Sequence, residues 1–97
     1  MITSVWGKGI AAPGQPPEKI RKDSCGAWIH WDAYGTEGEF GWEIDHIQPV
    51  SWNGGDELRN LQPLHWQNNR GKGDDYPNWQ CTTTGGHEIS DATQSVN

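Results

Sequence analysis

Seven tryptophans stand in a chain of 97 residues whose apolar content is only 32%. That combination restricts the fold more than any other feature. Each indole buries around 150–250 Å², so a few rings must supply much of a core that leucine and isoleucine supply elsewhere. The chain is one domain long, and a domain this small closes around a single core. Thirteen glycines and six prolines point to many turns and little long helix. No apolar run approaches the roughly 20 residues that cross a bilayer. No basic-then-apolar leader is expected. The expectation is a non-membrane, cytoplasmic protein, with export as an effector the other reading.

Seven Lys and Arg face thirteen Asp and Glu, for a net charge of −6. Residues 74–97 hold Asp74, Asp75, Glu88 and Asp91 without a cation, so they carry −4, and residues 1–73 carry −2. This balance argues against a broad, high-affinity basic groove for nucleic acid and leaves room for a local phosphate site. Cys25 and Cys81 lie 56 positions apart, which rules out a zinc site built from several cysteines. Nothing in the sequence signals an oxidising compartment, so two free, partly buried thiols are expected.

Residues 7–17 read as an extended lead-in rich in Gly and Pro. Pro17 can open a helical turn through Lys22. Residues 27–31 (AWIHW) read as a strand, and Gly35, Gly38 and Gly41 turn the chain back. Residues 42–47 (WEIDHI) alternate large and polar side chains until Asp45-His46, where a bend or bulge would explain the broken period. Asn53-Gly54-Gly55-Asp56 signals a loop. Leu61–Leu64 is short and apolar enough to return as a second strand. From His65 to Lys72 the pattern is helical, ended by Gly71 and Gly73. Beyond Thr82 the chain is polar and acidic, which predicts a flexible tail over 82–97. Six tryptophans (28, 31, 42, 52, 66 and 79) are assigned to the core, with Trp52 in the loop best placed to stack on a base.

The order is thus strand, loop, strand, helix, with Asp45-His46 ending the first strand, Asn60 at the loop's exit and Asn69 on the helix. The stretch EIDHIQPVSWNGGDELRNLQPLHWQNNRGKGD, residues 43–74, resembles the HNH endonucleases of the ββα-metal fold. The family pattern runs Asp-His-Ile-x-Pro, Gly-Gly, Asn-Leu, Leu-His or Leu-Cys, then His or Asn three before Lys. Asp45, His46, Ile47 and Pro49, then Gly54 and Gly55, then Asn60 and Leu61, then Leu64 and His65, and finally Asn69 and Lys72 fill it. The resemblance implies an α+β fold: a small HNH core over 42–74, an aromatic-rich N-terminal extension and a mobile acidic tail, all within one nuclease domain spanning 1–97. Some relatives bind structural zinc through cysteines at the positions of His65 and Asn68, and those cysteines are missing here.

The chemistry agrees with the likeness. Phosphodiester hydrolysis needs an activated water, charge neutralisation at phosphorus and help for the leaving oxygen. His46 is the candidate base, since an ordinary histidine titrates near neutral pH. Asp45 and Asn69 offer oxygens suited to a hard cation. Mg²⁺ is expected, with Mn²⁺, Ni²⁺ or Zn²⁺ as alternatives. Adjacent strand residues point to opposite faces, so Asp45 and His46 share a site only if the strand is distorted or if metal and water take different sides of the phosphate. The resemblance assigns Asn60 the tie between loop and histidine, a role suited to an amide. Arg70 and Lys72 are expected on substrate phosphates. His65, one turn before Asn69, is expected either to reach substrate or metal or to pack. Glu43 is either a supporting partner of the site or a solvated strand residue. DNA is the expected substrate, with RNA open and a delivery partner conceivable. The competing reading is a non-catalytic tryptophan-rich module that binds nucleic acid or sugar.

Overall fold

The computed structural model describes residues 1–85; the predicted tail falls largely on residues 86–97, outside the described part. Two small antiparallel sheets and two short helices make up the α+β architecture. Helix α1 (Ile2–Trp6) leads into a three-stranded sheet, β1 (Ile10–Ala11), β2 (Ile20–Lys22) and β3 (Trp28–His30), in that order. A second sheet pairs β4 (Trp42–His46) with β5 (Leu61–His65), and α2 (Trp66–Lys72) follows directly. No helix among the described residues is long and apolar enough to cross a membrane.

The core gathers Val5, Trp6, Ile29, Trp42 and Leu61, with Ile44 packed against them. Trp6 and Trp42 approach to 5.2 Å between ring centroids, and Tyr34 meets Trp42 edge-on at 4.9 Å. The tryptophan assignment needs correction. Trp42 and Trp6 are the buried pair, and Trp6 was not among the six expected. Trp31 and Trp52 are 37% and 51% exposed. Trp6 is buried because Ile2–Trp6 forms a helix and turns Val5 and Trp6 inward, whereas Trp52 sits on an exposed turn between β4 and β5.

Two other local expectations change. The helical turn expected from Pro17 stops at Ile20, whose amide still reaches the Pro16 carbonyl, because Ile20–Lys22 pairs with β1 and β3. The bulge expected at Asp45-His46 is absent: β4 and β5 keep one register from Trp42↔His65 through Asp45↔Gln62 to His46↔Leu61. Asp45 and His46 therefore leave opposite faces of a regular strand. Trp42 and Ile44 face the core, while Glu43 and Asp45 face α2. The helix thus docks on a polar strand face through amide and ionic contacts.

The cysteines are joined. Cys25 and Cys81 form a disulfide with 5.9 Å between Cα atoms, which corrects the expectation of free thiols. Their meeting has a visible cause. Asp23 is buried and accepts from the Cys25 and Ala27 amides through Oδ1. Through Oδ2 it accepts from the His65 amide and from Asn68 Nδ2. The buried Asn68 side chain then takes both the Thr82 and Thr83 amides on its oxygen at 2.7 Å, so the returning chain is laid beside the Cys25 turn. Hydrogen bonds and a disulfide together hold this place. Closing so long a loop restricts the unfolded chain, so Cys25→Ser/Cys81→Ser is expected to lose about 2–4 kcal/mol in urea unfolding. An unchanged midpoint would show that the bond adds no constraint.

Candidate active site

Local sequence builds the site's frame. Pro49 ends the ladder, and a 3-10 turn over Val50–Trp52 carries the chain into Asn53, whose φ of 66° is left-handed. Gly54 must be glycine, because a Cβ there would lie 1.7 Å from the Gln48 carbonyl oxygen. Asn60 closes the loop. Its Oδ1 accepts from the Gln48 amide at 2.8 Å, and its Nδ2 donates to the Gln48 and Gly55 carbonyls. Its backbone carbonyl accepts from the Ile47 amide. One amide side chain therefore pins both the residue two beyond His46 and the Gly-Gly turn.

Asp45, His46 and Asn69 line one open cleft of about 240 Å³, together with Pro49, Val50 and Asp74. Asp45 is 5% exposed. Its Oδ1 lies 3.2 Å from Lys72 Nζ and its Oδ2 accepts from Gln62. An ionised carboxylate has about four acceptor positions, so these two partners leave lone pairs for a cation. Asn69 donates its Nδ2 to Glu43 Oε1. Its carboxamide oxygen makes no hydrogen bond among the described residues, and this bond to Glu43 fixes which end of the amide is a donor.

His46 is held at its outer nitrogen. Nε2 lies 2.7 Å from Asp56 Oδ1. A carboxylate accepts, so Nε2 carries a proton, and in the neutral form of the ring the lone pair is on Nδ1. Nδ1 has no hydrogen bond among the described residues. With regular pairing through His46, carboxylate and imidazole leave opposite sides of the strand end, and both residues line the cleft.

Three of the residues expected on substrate are placed otherwise. Lys72, expected on phosphate, is 1% exposed and pairs with Asp45 while donating to the His46 carbonyl at 3.0 Å. A buried carboxylate without a counter-charge is costly, and Lys72 is the cation α2 can deliver. Arg70 bridges Glu37 and Glu43 and lies over the Trp66 ring. It remains half exposed. His65, left between substrate and packing, is buried: Nδ1 caps α2 by accepting from the Gln67 amide and Nε2 donates to the Glu39 carbonyl. With both nitrogens committed it serves the fold.

Glu43 resolves as a partner of the site. Partial burial pushes its carboxyl up, but hydrogen bonds from Arg70 and Asn69 and the guanidinium charge outweigh this, and the net shift is down. A lowered carboxyl contributes stability above its unfolded value that is lost as pH falls through the lowered one, so Asn69 stays oriented at neutral pH. Arg70 is held more firmly charged, first by its hydrogen bond to Glu43 and then by that to Glu37. Asp56, Gln62 and Asp74 were not singled out from sequence. Asp56 follows Gly-Gly directly, and Gln62 is simply the register partner of Asp45.

A family model described as HNH endonuclease matches residues 25–80, more than half of the chain. The chain belongs to the HNH endonuclease family. No curated protein and no solved structure gave a match. The HNH span begins at Cys25 and ends next to Cys81, so the disulfide clasps it almost end to end. Membership makes this a nuclease-type domain, and the geometry above belongs to that domain.

Proposed function

We propose that this HNH domain is a metal-dependent endonuclease that hydrolyses phosphodiester bonds, with DNA as substrate. The observation that carries the reading is the single cleft shared by Asp45, His46 and Asn69. Asp45 and Asn69 would hold one divalent cation. Their donors are few and all oxygen, which suits Mg²⁺ or Mn²⁺ better than a thiolate- or imidazole-seeking ion. When bound, such an ion would neutralise charge on the phosphate and on the departing 3′ oxygen.

The chain's own groups do the rest. His46 Nδ1 takes a proton from the attacking water, and the Asp56 carboxylate on Nε2 holds the tautomer and offsets the imidazolium that forms. Lys72 supplies the counter-charge beside the buried Asp45. Glu43 keeps the Asn69 oxygen available. Asn60 fixes the turn that presents His46. The Cys25–Cys81 bond supports work in oxidising surroundings, which favours the exported of the two location readings.

The test is plasmid cleavage across a metal series. Mg²⁺ or Mn²⁺ is expected to support nicking, and a chelator is expected to abolish it. Cleavage at full rate in excess chelator would contradict the cation's role, and no cleavage of either plasmid or single-stranded DNA with Mg²⁺, Mn²⁺, Ni²⁺ or Zn²⁺ would contradict the enzyme.

A further inference from the structure

The cations near the cleft are largely neutralised before any substrate arrives. Arg70 is shared by Glu37 and Glu43, Lys72 is buried on Asp45, and Arg59 has Glu57 at 3.8 Å. A chain of net charge −6 with its local cations so engaged releases few counterions from a duplex, and that release supplies most non-specific duplex affinity. Binding must draw on another source.

An aromatic surface adjoins the cleft. Val50 and Ser51 form part of its wall, and Trp52 is the next residue of the same 3-10 turn. Val50 is 64% and Trp52 51% exposed. The turn is fixed at both ends of Trp52: its amide donates to the Pro49 carbonyl at 2.8 Å, and its carbonyl accepts from Gln48 Nε2 at 2.6 Å. Gln48 is in turn pinned by Asn60. Tyr76 meets the indole at 5.9 Å and 72°. This edge-to-face contact leaves about half of Trp52, which is 51% exposed, accessible to a ligand. The indole N–H makes no hydrogen bond among the described residues.

We propose that Trp52 is a stacking platform for an unpaired nucleobase next to the scissile phosphate, and that the substrate class is single-stranded or locally unpaired nucleic acid in preference to intact duplex. A base within a duplex has both faces occupied by its neighbours, whereas a single-stranded base can leave the stack and cover the indole. Base–aromatic stacking is indifferent to the charge of the protein, which is what this chain requires. The surface is continuous with the cleft, so a strand whose phosphate lies there brings its flanking base to Trp52. The proposal rests on the nuclease reading only for the location of that phosphate.

The test separates binding from cleavage. The full chain carrying His46→Ala, in chelator, is titrated into a labelled 12-nucleotide oligothymidine and into a duplex of equal length, and anisotropy is read at two salt concentrations. The single strand is expected to bind at least tenfold tighter, with a shallow salt dependence. Adding Trp52→Ala is expected to weaken single-strand binding by about 5- to 150-fold, the range of one base–aromatic stack, with little change for duplex. Trp52→Phe is expected to restore most of it, and both variants are expected to keep the parent's melting temperature. Equal affinity for the two forms, or no effect of Trp52→Ala, would overturn the platform. A self-association lost in Trp52→Ala with oligonucleotide binding intact would also overturn it, by assigning the surface to protein contact. Discrimination that persists in a chain inactive with every metal would uphold the platform while refuting the enzyme.

Discussion

His46→Ala is expected to slow cleavage by about 10²–10⁴-fold at saturating Mg²⁺, the usual contribution of a positioned general base. The loss should fall on the single-turnover rate, with metal and nucleic-acid affinity close to wild type, because His46 contributes neither cation ligand nor core packing. Asp56→Asn keeps the shape of the neighbouring side chain and removes its charge. It is expected to reduce the rate by a smaller factor, since Asp56 lies largely in solvent, with 83% of its side chain exposed. A His46→Ala protein that nicks plasmid at the wild-type rate would remove the base from the mechanism.

Asp45→Ala is expected to lose about 3–5 kcal/mol of folding stability in addition to the cation. Lys72 would remain 1% exposed with its ammonium facing no carboxylate, leaving the His46 carbonyl at 3.0 Å and the Trp79 ring at 6.0 Å as its company. Against the 5–15 kcal/mol typical of a whole domain, that loss would unfold much of the population in low urea. Asp45→Ala/Lys72→Met replaces the pair by apolar groups and is expected to recover most of the stability without recovering metal binding. This contrast separates the two tasks of Asp45, as ligand and as anchor for α2. If the single variant unfolds at the wild-type urea midpoint, the ion pair does not stabilise the fold as described.

The strand, loop, strand, helix order could be read from the sequence because each part depends on local chemistry. Alternation in WEIDHI, the Asn53-Gly54-Gly55 turn, and Gly73 after the helix act within a few residues. The N-terminal segments were less legible: Ile20–Lys22 becomes a strand through pairing on both sides, and Ile2–Trp6 acquires its inward face from β5 across the molecule. The bulge expected at Asp45-His46 rested on the break in alternation at His46, yet pairing stays regular through that residue, whose side chain, 31% exposed, meets Asp56 at the strand's end. Asp45 is buried, and Lys72, 27 positions later, makes that tolerable. The partners Glu43–Asn69, His46–Asp56 and Asp23–Asn68, like the Cys25–Cys81 bond, are equally products of tertiary approach. No local period encodes them. The ion pairs of Arg70 and Lys72 were illegible for a related reason: a cation's number in the sequence does not show which carboxylate the fold will bring to it.

The central claim is that one cation lies between Asp45 and Asn69, across from the imidazole of His46. Anomalous diffraction from His46→Ala crystals grown with Mn²⁺ and an uncleaved oligonucleotide tests it most directly. The account predicts one strong peak within about 2.0–2.6 Å of an Asp45 carboxylate oxygen, the Asn69 carboxamide oxygen and a phosphate oxygen. A bound ion held by other residues, with the Asn69 oxygen outside that distance, would contradict it.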